Sequence, residues 1–160
     1  VTETFGEFFG WLAQTDLAAW LRRSRCGYAF VNGSHILGIA LLVGAIVPMD
    51  LRLIGIGRRL PVDALARRLV PVAAAGLAIA VATGLMMAST QALDYLGLRV
   101  FQVKMALVLA GGLSAVLLHI RYGWWLKEAP PCALRSAGLF SLCCWLPALF
   151  AGRLIAFMGA

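Results

Sequence analysis

Four ionisable side chains fall inside long apolar runs of this sequence: His35, Lys104, His119 and Arg153. Each is a candidate for function, because a charged or titratable group is expensive to keep in hydrocarbon. Two histidines among apolar helices suggest axial ligation of a b-type haem by neutral imidazoles, with Lys104 and Arg153 as cations for its propionates. The same residue types also fit plainer roles. Lys104 and Arg153 have stems long enough to snorkel to a membrane surface. His119, followed by Arg121 and Tyr122, reads as an interfacial residue, and His35 is equally compatible with a hydrogen-bonded structural histidine. His35 is too deep to snorkel with a short ring, and the polar patch Asn32-Gly33-Ser34 precedes it.

The elements that must position these residues follow from composition and pattern. Of 160 residues, 62% are hydrophobic and 13% charged, against roughly 25% charged in soluble domains. A soluble chain this short cannot bury so much apolar surface. An all-α, four-helix, up-down-up-down membrane bundle is predicted, with spans over about 27–49, 69–88, 98–120 and 137–158 and an N-terminal amphipathic helix within 1–25. In that first segment Thr4 and Glu7 form a capping-box pattern and Thr15-Asp16 a second start signal. Phe5, Phe8, Phe9 and Leu12 recur at helical spacing, which predicts a helix lying in the interface or packed on a partner protein. No cleavable signal peptide is expected, since Glu3 and Glu7 come first and Arg22, Arg23 and Arg25 last.

Pro61 opens a short helix ahead of the second span, and Pro147 is expected to bend the fourth. In the second span Gly76, Ala80 and Gly84 form a stripe of small residues that lets two helix backbones approach. Cys26, Cys132, Cys143 and Cys144 have no metal-ligand spacing and read as structural.

The net charge of +7 lies beside the apolar runs, which fits anionic headgroups rather than nucleic acid. The two loops hold Arg52, Arg58, Arg59, Arg67, Arg68, Arg121, Lys127 and Arg135, against Arg22, Arg23, Arg25 and Arg99 on the other side. That excess predicts cytoplasmic loops and periplasmic termini in a bacterial inner membrane, with Trp124 and Trp125 at headgroup level. On this arrangement His35 lies ~12 Å deep from the outer side, Lys104 ~9 Å and Arg153 ~8 Å. His119 falls at the opposite end of its span. An offset of roughly 15–20 Å keeps the two histidines from sharing one haem. A haem held by His35 alone, or with another ligand at that depth such as Met86 or Met87, remains open.

The segments W-L-A-Q-T-D-L-A-A-W-L-R-R-S at 11–24, S-H-I-L-G-I-A-L-L-V-G-A at 34–45, D-L-R-L-I-G at 50–55, F-Q-V-K-M-A-L at 101–107 and A-G-R-L-I-A-F at 151–157 resemble a bacterial four-helix inner-membrane family to which no activity is assigned. The family pattern places an aromatic-tyrosine-proline and then an acidic residue before the histidine. Here Gly27-Tyr28-Ala29 and Asn32-Gly33 stand instead, so the resemblance does not extend to an acid-assisted role for His35. A histidine early in one helix, with K-x-x-L and a second histidine in another, is similar at fold level to the bacterial membrane protoporphyrinogen oxidase, a haem protein, and to copper-resistance D proteins. That resemblance implies His35, Lys104 and His119 as the matching positions.

Two functional expectations result. One is a small cofactor protein holding haem b through His35, for electron transfer or tetrapyrrole handling. The other is a cofactor-free accessory subunit on a larger energy-transducing membrane complex, or a homo-oligomer. A transporter or channel fits less well, since there is no broken helix pair and no acidic chain across the core. No catalytic residue is identified by type or spacing.

Overall fold

The computed structural model describes residues 7, 10–57, 59–90, 97–127 and 129–158. Thr4 of the first capping pair, Phe5, Phe8, Phe9, Arg58 and the polar link at Gln91 and Asp94 lie outside the described residues. All regular structure among the described residues is helical: α1 (Asp16–Arg23), α2 (Arg25–Ile54), α3 (Val62–Ala88), α4 (Arg99–Tyr122) and α5 (Pro131–Met158).

The helix ends follow local chemistry. Thr15 is extended and its hydroxyl accepts from the Ala18 amide, so the second start signal operates. Asp16 in the first turn and Arg22 and Arg23 in the last complement the dipole of α1. Ser24 then caps α2 by accepting from the Gly27 amide at 3.0 Å. The helix ends at Gly55, whose left-handed φ of 116° lets its amide reach the Leu51 and Arg52 carbonyls. Because no residue before Gly55 supplies that conformation cheaply, α2 runs past the expected boundary, and Asp50 and Arg52 are helical rather than loop. Likewise the short helix after Pro61 and the second span form one continuous α3, with Pro71 inside it. Helix α5 starts at Pro131, a residue suited to a first helical turn.

Among the described residues four helices are long and apolar enough to cross a membrane: 25–54, 62–88, 99–122 and 131–155. Even the shortest, at 24 residues, covers about 36 Å, more than the ~30 Å hydrocarbon core. This is the pattern of a multi-pass membrane protein.

Helix α2 is the hub. It packs along α3 and α5, α5 packs along α4, and α1 lies against α2. The consecutive helices α3 and α4 share no comparable seam among the described residues. The expected small-residue stripe of α3 faces α2. A Cβ on Gly76 would meet the Leu42 amide nitrogen at 2.5 Å, and one on Gly38 the Ala80 nitrogen at 2.7 Å. Backbones so close gain van der Waals contact that lipid cannot offer. The other seams also turn on glycine: Gly138 of α5 lies on the Asp50 carbonyl and Leu53, and Gly111 of α4 on the Trp145 ring.

The apolar core gathers at the end bearing the basic loops. Met49 and Leu53 of α2, Ala66 of α3, Leu126 of the 123–130 loop and Leu134 of α5 are buried together, with Leu118 and Tyr122 of α4 against them. Arg67 lies over the Trp125 ring at 5.1 Å, while Trp124 is exposed. At the other end α1 buries Ala18 and Leu21 but exposes Leu17 and Trp20. Arg22 donates to the Ser89 carbonyl at 3.4 Å and the Ala13 carbonyl at 3.0 Å. The amphipathic segment is thereby tied across the end of α3 while an apolar edge stays free.

Candidate functional site

The site is built on the α2–α3 crossing. The two helices run antiparallel, with Leu42 against Gly76, Gly38 against Ala80 and His35 against Gly84. At that last step the imidazole takes the place a side chain on α3 would fill. A Cβ on Gly84 would come within 3.1 Å of His35 Cε1. Gly84 thus makes room for the histidine ring itself.

His35 Nδ1 lies 3.1 Å from Thr83 Oγ1. The Thr83 hydroxyl donates its own proton to the Ile79 carbonyl at 2.6 Å, so its oxygen is left as an acceptor. That acceptor calls for a proton on Nδ1, which leaves the Nε2 lone pair as the free position. Nε2 has no hydrogen-bond partner among the described residues. A ligating histidine is oriented in this way, with the far nitrogen held by an acceptor and the near one presented.

Lys104 reaches this region from α4. Its Nζ would lie 3.2 Å from a Cβ on Gly152 of α5, within electrostatic range of the His35 ring. No carboxylate pairs with it among the described residues. Histidine and ammonium together, with no acid beside them, favour an anionic guest.

The remaining predicted residues are placed apart from this pair. Arg153 follows Gly152, but its guanidinium is exposed and lies over the Phe157 ring at 4.9 Å. His119 is about 22 Å further along α4 than Lys104. It is bound through Nδ1 to the Ala115 carbonyl at 2.7 Å, with the Trp124 ring 5.9 Å away. Its Nε2 is buried without a partner among the described residues. Met86 lines an open groove of about 550 Å³ between α1 and α2 that also touches Ser34 and Thr83.

Among the described residues no group of three or more His, Cys, Asp or Glu side chains could cage a bare metal ion. A haem makes a smaller demand, because the porphyrin supplies the equatorial nitrogens and the protein only an axial one. His35 Nε2 is chemically suited to that axial position, and Lys104 would be a cation for a propionate. The 550 Å³ groove flanks His35 without including it in its lining.

One residue with a claim to function is not apparent from the pattern alone. Asp50 is 5% exposed, and its Oδ2 has no hydrogen-bond partner among the described residues. Ser141 of α5 is the polar side chain beside it. The available signal is the lack of any helix breaker between Pro48 and Gly55, which carries Asp50 into the helix and against the Gly138 face of α5.

Comparisons with family models, with curated proteins and with solved structures give no match.

Proposed function

We propose that this protein is a bacterial inner-membrane haem protein, holding a b-type haem through Nε2 of His35 for electron transfer or tetrapyrrole handling. The observation that supports this reading is the Thr83 hydroxyl, which as an acceptor at Nδ1 favours the tautomer with Nε2 free to ligate. When bound, haem supplies one-electron chemistry that no side chain here offers. Thr83 orients the ring, Gly84 makes room for it, and Lys104 would neutralise a propionate. Arg153 is near enough in sequence to Gly152 to serve a second propionate after rotating away from Phe157. Placing the two basic loops in the cytoplasm puts His35 in the outer half of the membrane.

The visible spectrum of gently extracted protein tests the proposal. A Soret band that shifts on reduction is expected, lost in His35→Ala and largely kept in His119→Ala. A colourless wild type, or equal loss in both variants, overturns it.

The missing seam between α3 and α4 favours a second reading. A helix of a larger membrane complex, or of another copy, would fill that side, and the chain would be a cofactor-free accessory subunit. Colourless protein that co-purifies with a large assembly is the outcome expected on this reading.

A further inference from the structure

We infer that the groove between α4 and α5 is a binding site for one anionic phospholipid. It holds about 600 Å³, and Arg99 is the only polar residue in its lining. The pair runs antiparallel, with Lys104 against Gly152 and Gly111 against Trp145. Arg99 therefore lies at the Leu154 end, and the groove descends from there past Val103 and Phe150 to Leu146. Eight residues of α5 give it a length of about 12 Å, enough to take the upper part of an acyl chain.

Its shape has a cause in the sequence. Pro147, in the groove wall, has no amide proton for the carbonyl four residues back, and helices open or bend at such points. On the other wall only Gly111 of α4 is buried, so this helix presents its side chains outward.

Charge selects the headgroup. Neither α4 nor α5 contains an acidic residue, whereas Arg99, Lys104 and Arg153 all fall near the upper end of the pair. Arg153, next to Leu154, is exposed. A zwitterionic lipid fits the apolar walls but brings no net negative charge to Arg99. A phosphoglycerol-type headgroup satisfies both. Lys104 and Arg153 are the cations proposed for haem propionates, so the lipid site rests on Arg99, the one of the three that lines the groove, and its test needs no haem.

Native mass spectrometry of delipidated protein, titrated with phosphatidylglycerol or with phosphatidylcholine of the same chains, tests the inference. Wild type is expected to bind one phosphatidylglycerol about fivefold more tightly, the worth of roughly one basic side chain near a membrane surface. Arg99→Gln should bring the two lipids within about twofold of each other. Val103→Trp, which fills the groove, should weaken both while the helical circular dichroism is unchanged. If Val103→Trp does not fold, Arg99→Gln decides alone. Equal affinities in wild type, selectivity that survives Arg99→Gln, or a dimer that excludes lipid from the groove each overturn the proposal.

Discussion

His35 Nδ1 and Thr83 Oγ1 are 3.1 Å apart across the α2–α3 crossing, and the threonine proton is committed to the Ile79 carbonyl. Thr83→Val keeps the shape and removes the acceptor. Stability is expected to fall by about 1 kcal/mol, while haem affinity drops roughly 10–100-fold, as when an orienting partner is lost. Thr83→Ser should restore it. Imidazole nitrogen chemical shifts give a readout independent of haem, and an unchanged tautomer in Thr83→Val rules out the orienting role.

The α2–α3 crossing is sensitive to bulk at Gly38 and Gly76, where an added Cβ meets backbone nitrogen. Gly76→Leu is expected to cost about 3 kcal/mol or more, at the upper end of overpacking. Gly112→Ala on α4 meets nothing within 4 Å and should be neutral or stabilise by about 0.5 kcal/mol. Thermal unfolding in detergent compares the two. Equal melting temperatures would remove the close crossing from the account.

Leu126 has a φ of 54° and is 3% exposed. A left-handed backbone costs a leucine about 1–2 kcal/mol, which its burial against Met49, Ala66 and Leu134 offsets. Leu126→Ala keeps the strained backbone and loses the contacts, so a loss of about 2–4 kcal/mol is expected. Leu126→Gly relieves the backbone and should be no worse than alanine. A glycine variant clearly less stable than the alanine one contradicts this balance.

Asp50 and Ser141 form a polar pair in the apolar α2–α5 seam. Ser141→Ala strands the carboxyl further and should cost about 1–2 kcal/mol. The double variant Asp50→Leu/Ser141→Ala removes both polar groups and should be more stable than Ser141→Ala alone. The reverse order, measured by detergent unfolding, would mean that the carboxyl has a partner or a task beyond this seam.

Orientation is testable without any cofactor. Eight basic residues in or flanking the two loops, against four on the other side, predict cytoplasmic loops. Reporter fusions at Gly123 are expected to be active only with cytoplasmic reporters. The opposite pattern would exchange the sides given to His35 and His119.

Hydropathy and length alone determined that four helices are able to cross a membrane, because both are sums over consecutive residues. Local side-chain chemistry likewise made the Thr15 cap legible, as well as the close-packing stripe of Gly76, Ala80 and Gly84. The depth arithmetic that put His35 near Lys104 and far from His119 needed only the rise of a helix. Tertiary structure decided which surfaces meet. That α2, rather than α4, receives the Gly76 stripe depends on Gly38, more than thirty residues away, offering a matching gap. The same crossing brought Thr83 to His35 and so chose the free nitrogen, which no spacing within either helix encodes. It also put the Asp50 carboxyl into a helix seam and turned the Arg153 guanidinium outward over Phe157. Those outcomes depend on which neighbour occupies each helix face, and a periodic pattern fixes the face without naming the neighbour.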